Sequence, residues 1–66
     1  MQNTHINNGK VILNKPSPKG WTSITGAIRL EKGKVIVAGT PDTMPDNFSI
    51  IVEIPFSDIK SIDMSS

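Results

Sequence analysis

Phe48-Ser49-Ile50-Ile51-Val52-Glu53-Ile54-Pro55-Phe56 decides how this chain is read. Every even position is apolar, whereas the odd positions hold Ser49, Ile51, Glu53 and Pro55. Successive side chains of a strand point to opposite faces, so this period of two predicts a β-strand with Phe48, Ile50, Val52, Ile54 and Phe56 turned into a core. Pro55 has no N–H for a ladder and argues against a central position for that end of the strand.

A second alternation starts at Trp21. Ile24, Gly26, Ile28 and Leu30 share one face, and Trp21, Ser23, Thr25, Ala27 and Arg29 the other. Trp21 is expected to cap one end of the core, with a partly exposed interface anchor as the alternative. A glycine inside a strand marks a bulge or bend, so Gly26 is where a small sheet would curl toward a barrel. Glu31-Lys32-Gly33-Lys34 predicts a hairpin with Gly33 in the left-handed position, leading into a strand over 35–38. Val35-Ile36-Val37-Ala38 is apolar without alternation, as for a strand covered on both sides or one whose outer face meets a neighbour.

The remaining segments are punctuated by turn formers. Asn7, Asn8 and Gly9 read as a turn before a strand over 10–14. Pro16 and Pro18 stiffen a loop over 15–20, and residues 39–47 read as a loop. Ser57-Asp58 reads as a corner, with Ile59 under the barrel end and Ile62 and Met64 in a closing strand.

Composition agrees. Ten Ile, four Val and five Thr stand against two Leu and two Ala, a bias toward β-branched residues that fit strands. A 66-residue chain of 7.2 kDa holds one domain and buries only roughly 60% of the surface it exposes when unfolded, so a partner subunit would help it. The expected organisation is a flexible segment over 1–8 and a single β domain over 9–64. Without cysteine, neither disulfides nor thiolate metal sites can stabilise it. No apolar run approaches the ~20 residues of a membrane helix, and no apolar signal core opens the chain, so a soluble cytoplasmic protein is expected.

The net charge of +1 conceals a division. Residues 1–34 hold six cations and Glu31 (6 − 1 = +5), and residues 35–66 hold Lys60 against five carboxylates (1 − 5 = −4). Either the two halves pair side by side in one sheet, where opposite charges are favourable neighbours, or they present separate faces that would let copies associate head to tail.

Catalysis needs convergent groups with shifted pKa, and one His with no Cys or Tyr offers little toward it, so no enzyme activity and no catalytic residue is expected. His5 sits in the polar N-terminal segment. Asp42, Asp46 and Asn47 match no calcium loop, and the glycines match no phosphate-cradling spacing, so neither a metal nor a cofactor is expected. Lys10, Lys15, Lys19 and Lys34, with Arg29, are candidates for binding an anion such as a lipid headgroup or nucleic acid. A platform for nucleic acid normally adds several stacking aromatics, which disfavours that reading.

Residues 20–64 resemble the bacterial pleckstrin-homology and GRAM-like domains, through a strand pair and then Ile54-Pro55-Phe56-Ser57-Asp58-Ile59-Lys60-Ser61-Ile62, similar to a closing motif of that family. The resemblance implies a small barrel plugged by a C-terminal helix, which the residues after Met64 do not supply. In its shortness the chain also resembles SH3-like and Sm-like barrels. The expectation is therefore an all-β domain of about five short strands in a highly curved antiparallel sheet or small barrel. Its expected role is a non-catalytic binding or assembly module that self-associates or docks on a protein partner through a strand edge, over 10–14 or 35–38. Trp21, Arg29, Val35, Val37 and Ile51 are the candidate interaction residues. An accessory or inhibitory subunit of a larger enzyme is a further alternative.

Overall fold

A computed structural model describes residues 7–45 and 47–64; the expected flexibility of residues 1–6, and His5 with them, lies outside the described residues, as does Asp46. The chain forms β1 (Asn7–Leu13), β2 (Ser23–Glu31), β3 (Lys34–Pro41), β4 (Ile50–Pro55), a single 3-10 turn η1 (Phe56–Asp58) and β5 (Ile59–Met64). All five strands pair antiparallel in one sheet, in the order β4-β3-β2-β1-β5. The all-β expectation holds. No helix among the described residues is long and apolar enough to cross a membrane.

The hairpin between β2 and β3 turns where the glycine requires it. Gly33 has φ +80°, a conformation that costs an L-residue roughly 1–2 kcal/mol, and Glu31 faces Lys34 across the turn. That register places Ile28 beside Val37 and Leu30 beside Val35, and β4 then sets Val52 beside Val37 and Ile54 beside Val35. Val35 and Val37 are fully buried and Ala38 is exposed, so β3 alternates after all. Four consecutive apolar residues hide their parity; the hairpin register reveals it.

Val11, Trp21, Ile24, Ile28, Val35, Val37 and Ile54 form the core, with Leu13, Ile50, Val52, Ile59 and Ile62 packed against it. Three residues expected in that core are exposed: Leu30, Phe48 and Phe56. Leu30 lies near the β2–β3 turn, two residues past Ile28, the partner of Asn7 in the last described pair of β1 with β2. Phe48 precedes β4, and its N–H donates to the Pro45 carbonyl in a turn. Phe56 opens η1, where the chain leaves the sheet.

Other boundaries move outward because pairing continues through residues that favour turns. Asn7 and Asn8 pair with Ile28 and Ala27 at the start of β1 instead of forming a turn. Gly39, Thr40 and Pro41 pair with Gly26, Thr25 and Ile24, which shortens the long loop to residues 42–49. Gly9, Gly26 and Gly39 consequently stand side by side across three strands. The missing side chains let the strands approach closely: a Cβ on Gly26 or on Gly39 would run into the backbone of the neighbouring strand, and the β2–β3 register passes through Gly26 without a bulge.

The two charge halves are interleaved across the sheet. Lys34 Nζ lies 2.8 Å from Glu53 Oε1 between β3 and β4, and Lys10 is directly opposite Asp63 between β1 and β5. Side-by-side pairing, the first of the two expectations, describes the charge division at these two pairs.

Candidate functional site

The concave side of the bent sheet is not closed by backbone pairing, because β4 and β5, which are joined through η1, are the two outer strands of the order. Beside β4 lies a slot of about 470 Å³, within the size range of ligand clefts. Its floor is Leu13, Trp21 and Ile54, one wall is β4 from Val52 to Pro55, and the other is the loop with Pro16, Ser17 and Pro18. Lys15, Glu53 and Asp58 stand at the rim.

The proline wall is rigid for local reasons. The Ser17 N–H donates to the Trp21 carbonyl (2.8 Å), and the Gly20 N–H donates back to the Ser17 carbonyl (2.9 Å). Ser17 Oγ accepts from the N–H groups of Lys19 (3.3 Å) and Trp21 (3.1 Å). Gly20 adopts φ +94°, as this tight return requires. Prolines have no N–H, so the wall presents apolar rings. Asn14 ties it to η1, its N–H donating to the Asp58 carbonyl (3.0 Å) and its side-chain amide to the Ser57 carbonyl (2.7 Å).

The opposite wall is the outer edge of β4, with which no other strand pairs among the described residues. The Phe56 N–H donates to the Gly33 carbonyl at 3.1 Å, which sets the phase of the β3–β4 ladder. In an antiparallel ladder bonded pairs alternate, so Ile54, Val52 and Ile50 bond to β3 while the backbone groups of Ile51 and Glu53 point away from it. Pro55 shares their phase, which is why its missing N–H costs the sheet nothing. The Ile51 side chain is 76% exposed, and Phe48 and Phe56 flank the strand at 43% and 47%.

Two of the expectations are corrected by this topology. Strands 10–14 and 35–38 are not edges: β1 is covered by β2 and β5, and β3 by β2 and β4. Val35, Val37 and Trp21 cannot be exposed anchors, since all three are buried; Trp21 takes the core role. Ile51 remains the exposed candidate. Arg29 is exposed with Nε 2.9 Å from Glu31, and Lys34 is paired with Glu53. With Lys10 opposite Asp63, three of the five candidate anion-binding cations have a carboxylate for a neighbour. Lys15 is at the slot rim, and Lys19 is in the tight return of the proline loop. Reading the sequence alone missed the slot, because Pro16 and Pro18 signal a stiff loop without saying what the loop faces. Pro55 was the signal for the β4 edge.

At the rim, Glu53 is exposed and paired with Lys34. The hydrogen bond from Lys34 lowers the pKa of Glu53, and the same bond raises that of Lys34. Asp42, just after β3, accepts from the Thr22 hydroxyl (2.8 Å) and N–H (3.2 Å), and the hydroxyl bond is the main cause that holds its carboxyl below the ordinary carboxylate range. For both acids the folded-state pKa is depressed, so the folded state binds fewer protons than the unfolded one in acid. Their stabilisation is complete above the unfolded pKa of about 4 and is lost as pH falls through the depressed values. Asp42→Ala should therefore flatten the fall of the thermal midpoint below about pH 4. An acid limb identical to wild type would show that Asp42 does not contribute. Among the described residues no group of three His, Cys, Asp or Glu could hold a metal ion.

No protein-family model matches the chain, and comparison with curated proteins and with solved structures found none similar to it.

Proposed function

We propose that the protein is a non-catalytic interaction module that accepts an extended chain segment by strand addition to β4. The observation that supports this most is the free, apolar edge itself: the backbone groups of Ile51 and Glu53 point outward beside an exposed isoleucine side chain. Main-chain hydrogen bonds would supply affinity, and alternate side chains of the added segment would enter the slot against Trp21, Pro16 and Pro18. Exposed apolar edges of this kind are hazards unless they are paired or covered. The other outer strand is guarded by a register shift opposite Ile12 and Leu13 and carries Lys60 and Asp63. Anion binding has less support, since Lys10, Arg29 and Lys34 each have an acidic neighbour.

Random decapeptides displayed on phage and selected on the immobilised protein test the reading. The selected peptides should slow amide hydrogen exchange at Ile51 and Glu53 by tenfold or more. Selected peptides that leave those two amides unchanged would overturn it.

A further inference from the structure

We infer that the segment added to β4 is β4 of a second copy, paired across a two-fold axis at Ile51. This rests on the reading of β4 as a strand-accepting edge and names its occupant. An isologous antiparallel pair must be self-complementary, and the order of residues along β4 meets that condition in one register. With Ile51 opposite the second copy's Ile51, the two residues exchange both backbone hydrogen bonds and bury their 76%-exposed side chains against each other. Glu53 then stands opposite Ser49, and Pro55 falls beyond the paired stretch.

Neighbouring registers are worse. A shift toward the C-terminus sets Glu53 against Ile51 or against its own copy, where like charges repel, and draws Pro55 into the ladder with no N–H to give. A shift toward the N-terminus drives the ladder into the turn that the Phe48 N–H closes on the Pro45 carbonyl. On the inner face the favoured register puts Ile50 beside Val52, and Phe48, two residues before β4 begins, falls opposite Ile54. Ile54 is the floor of the slot. The half-exposed phenyl ring of Phe48 would therefore enter the other copy's slot, above Trp21 and beside the proline wall. The chain thus carries, at the register its hydrogen bonds and charges select, an aromatic side chain for the cleft it presents.

Sedimentation equilibrium from tens to hundreds of micromolar should give twice the 7.2 kDa chain mass at the upper end. Phe48→Ala, at an exposed position, should leave the circular dichroism unchanged and weaken dimerisation by tenfold or more. Because the chain has no cysteine, single thiols report the register. Directly opposed Cα atoms about 5.5 Å apart suit a disulfide, so Ile51→Cys should oxidise to a covalent dimer and Glu53→Cys should not. A single-chain mass throughout would overturn the second copy as occupant. The strand-addition reading would then stand or fall on the peptide selection alone. A double mass with linkage through Glu53→Cys but not Ile51→Cys, or with Phe48→Ala dimerising as wild type does, would overturn this register.

Discussion

Gly26→Ala is expected to abolish most of the stability of the fold. A Cβ built on Gly26 would lie 2.5 Å from Gly39 Cα and 2.9 Å from the Ala38 carbonyl carbon, whereas real Cβ atoms essentially never come within 3.0 Å of such neighbours. Every one of these atoms is backbone of β3, a strand held on its other side by β4, so relief requires separating β2 from β3 at the middle of their ladder. A cost of about 3–5 kcal/mol places the substitution among the most damaging single changes. A chain of this length has a total stability of only roughly 3–10 kcal/mol. The urea midpoint should collapse, or the variant should be unfolded in buffer. Gly20→Ala is the control: nothing lies within 4 Å of its Cβ, so only the strain of a positive φ remains, about 1–2 kcal/mol. A Gly26→Ala midpoint no lower than that of Gly20→Ala would mean that the strands do not approach as closely as described.

Trp21→Ala should cost about 3–5 kcal/mol, the usual penalty for emptying a large aromatic from a core. Trp21 is only 6% exposed and is the floor shared by the core and the slot. An interface anchor on the surface would instead lose binding while leaving the denaturation midpoint in place. As the only tryptophan, it reports on itself: its emission should shift to the red on unfolding in step with the loss of β circular dichroism. Trp21→Phe, which keeps an aromatic ring on the floor, should lie between wild type and Trp21→Ala in midpoint. An unchanged midpoint for Trp21→Ala would contradict the burial.

Trp21 also marks how far side-chain patterning reads. The left-handed Gly33 and the core role of Trp21 were legible, because each is a local consequence of residue type: tolerated φ, bulk beside a loop. Ile24, Ile28 and Ile54 were placed in the core by alternation alone. Leu30, Phe48 and Phe56 followed the same parity and came out exposed: parity assigns a face but not where a strand ends, and both phenylalanines lie just outside β4. The edge was half legible: Pro55 pointed to it, whereas the mistaken choice of β1 and β3 came from judging each strand without knowledge of its neighbours.

Backbone preferences and the two-residue repeat are properties of a few consecutive residues, so five strands and the tight hairpin followed from residue order. Strand order, the outward phase of Ile51 and the cleft between β4 and the proline loop arise from residues far apart in the chain meeting across a bent sheet. Their contacts depend on curvature and register summed over every ladder, and those quantities exist only once the chain has folded.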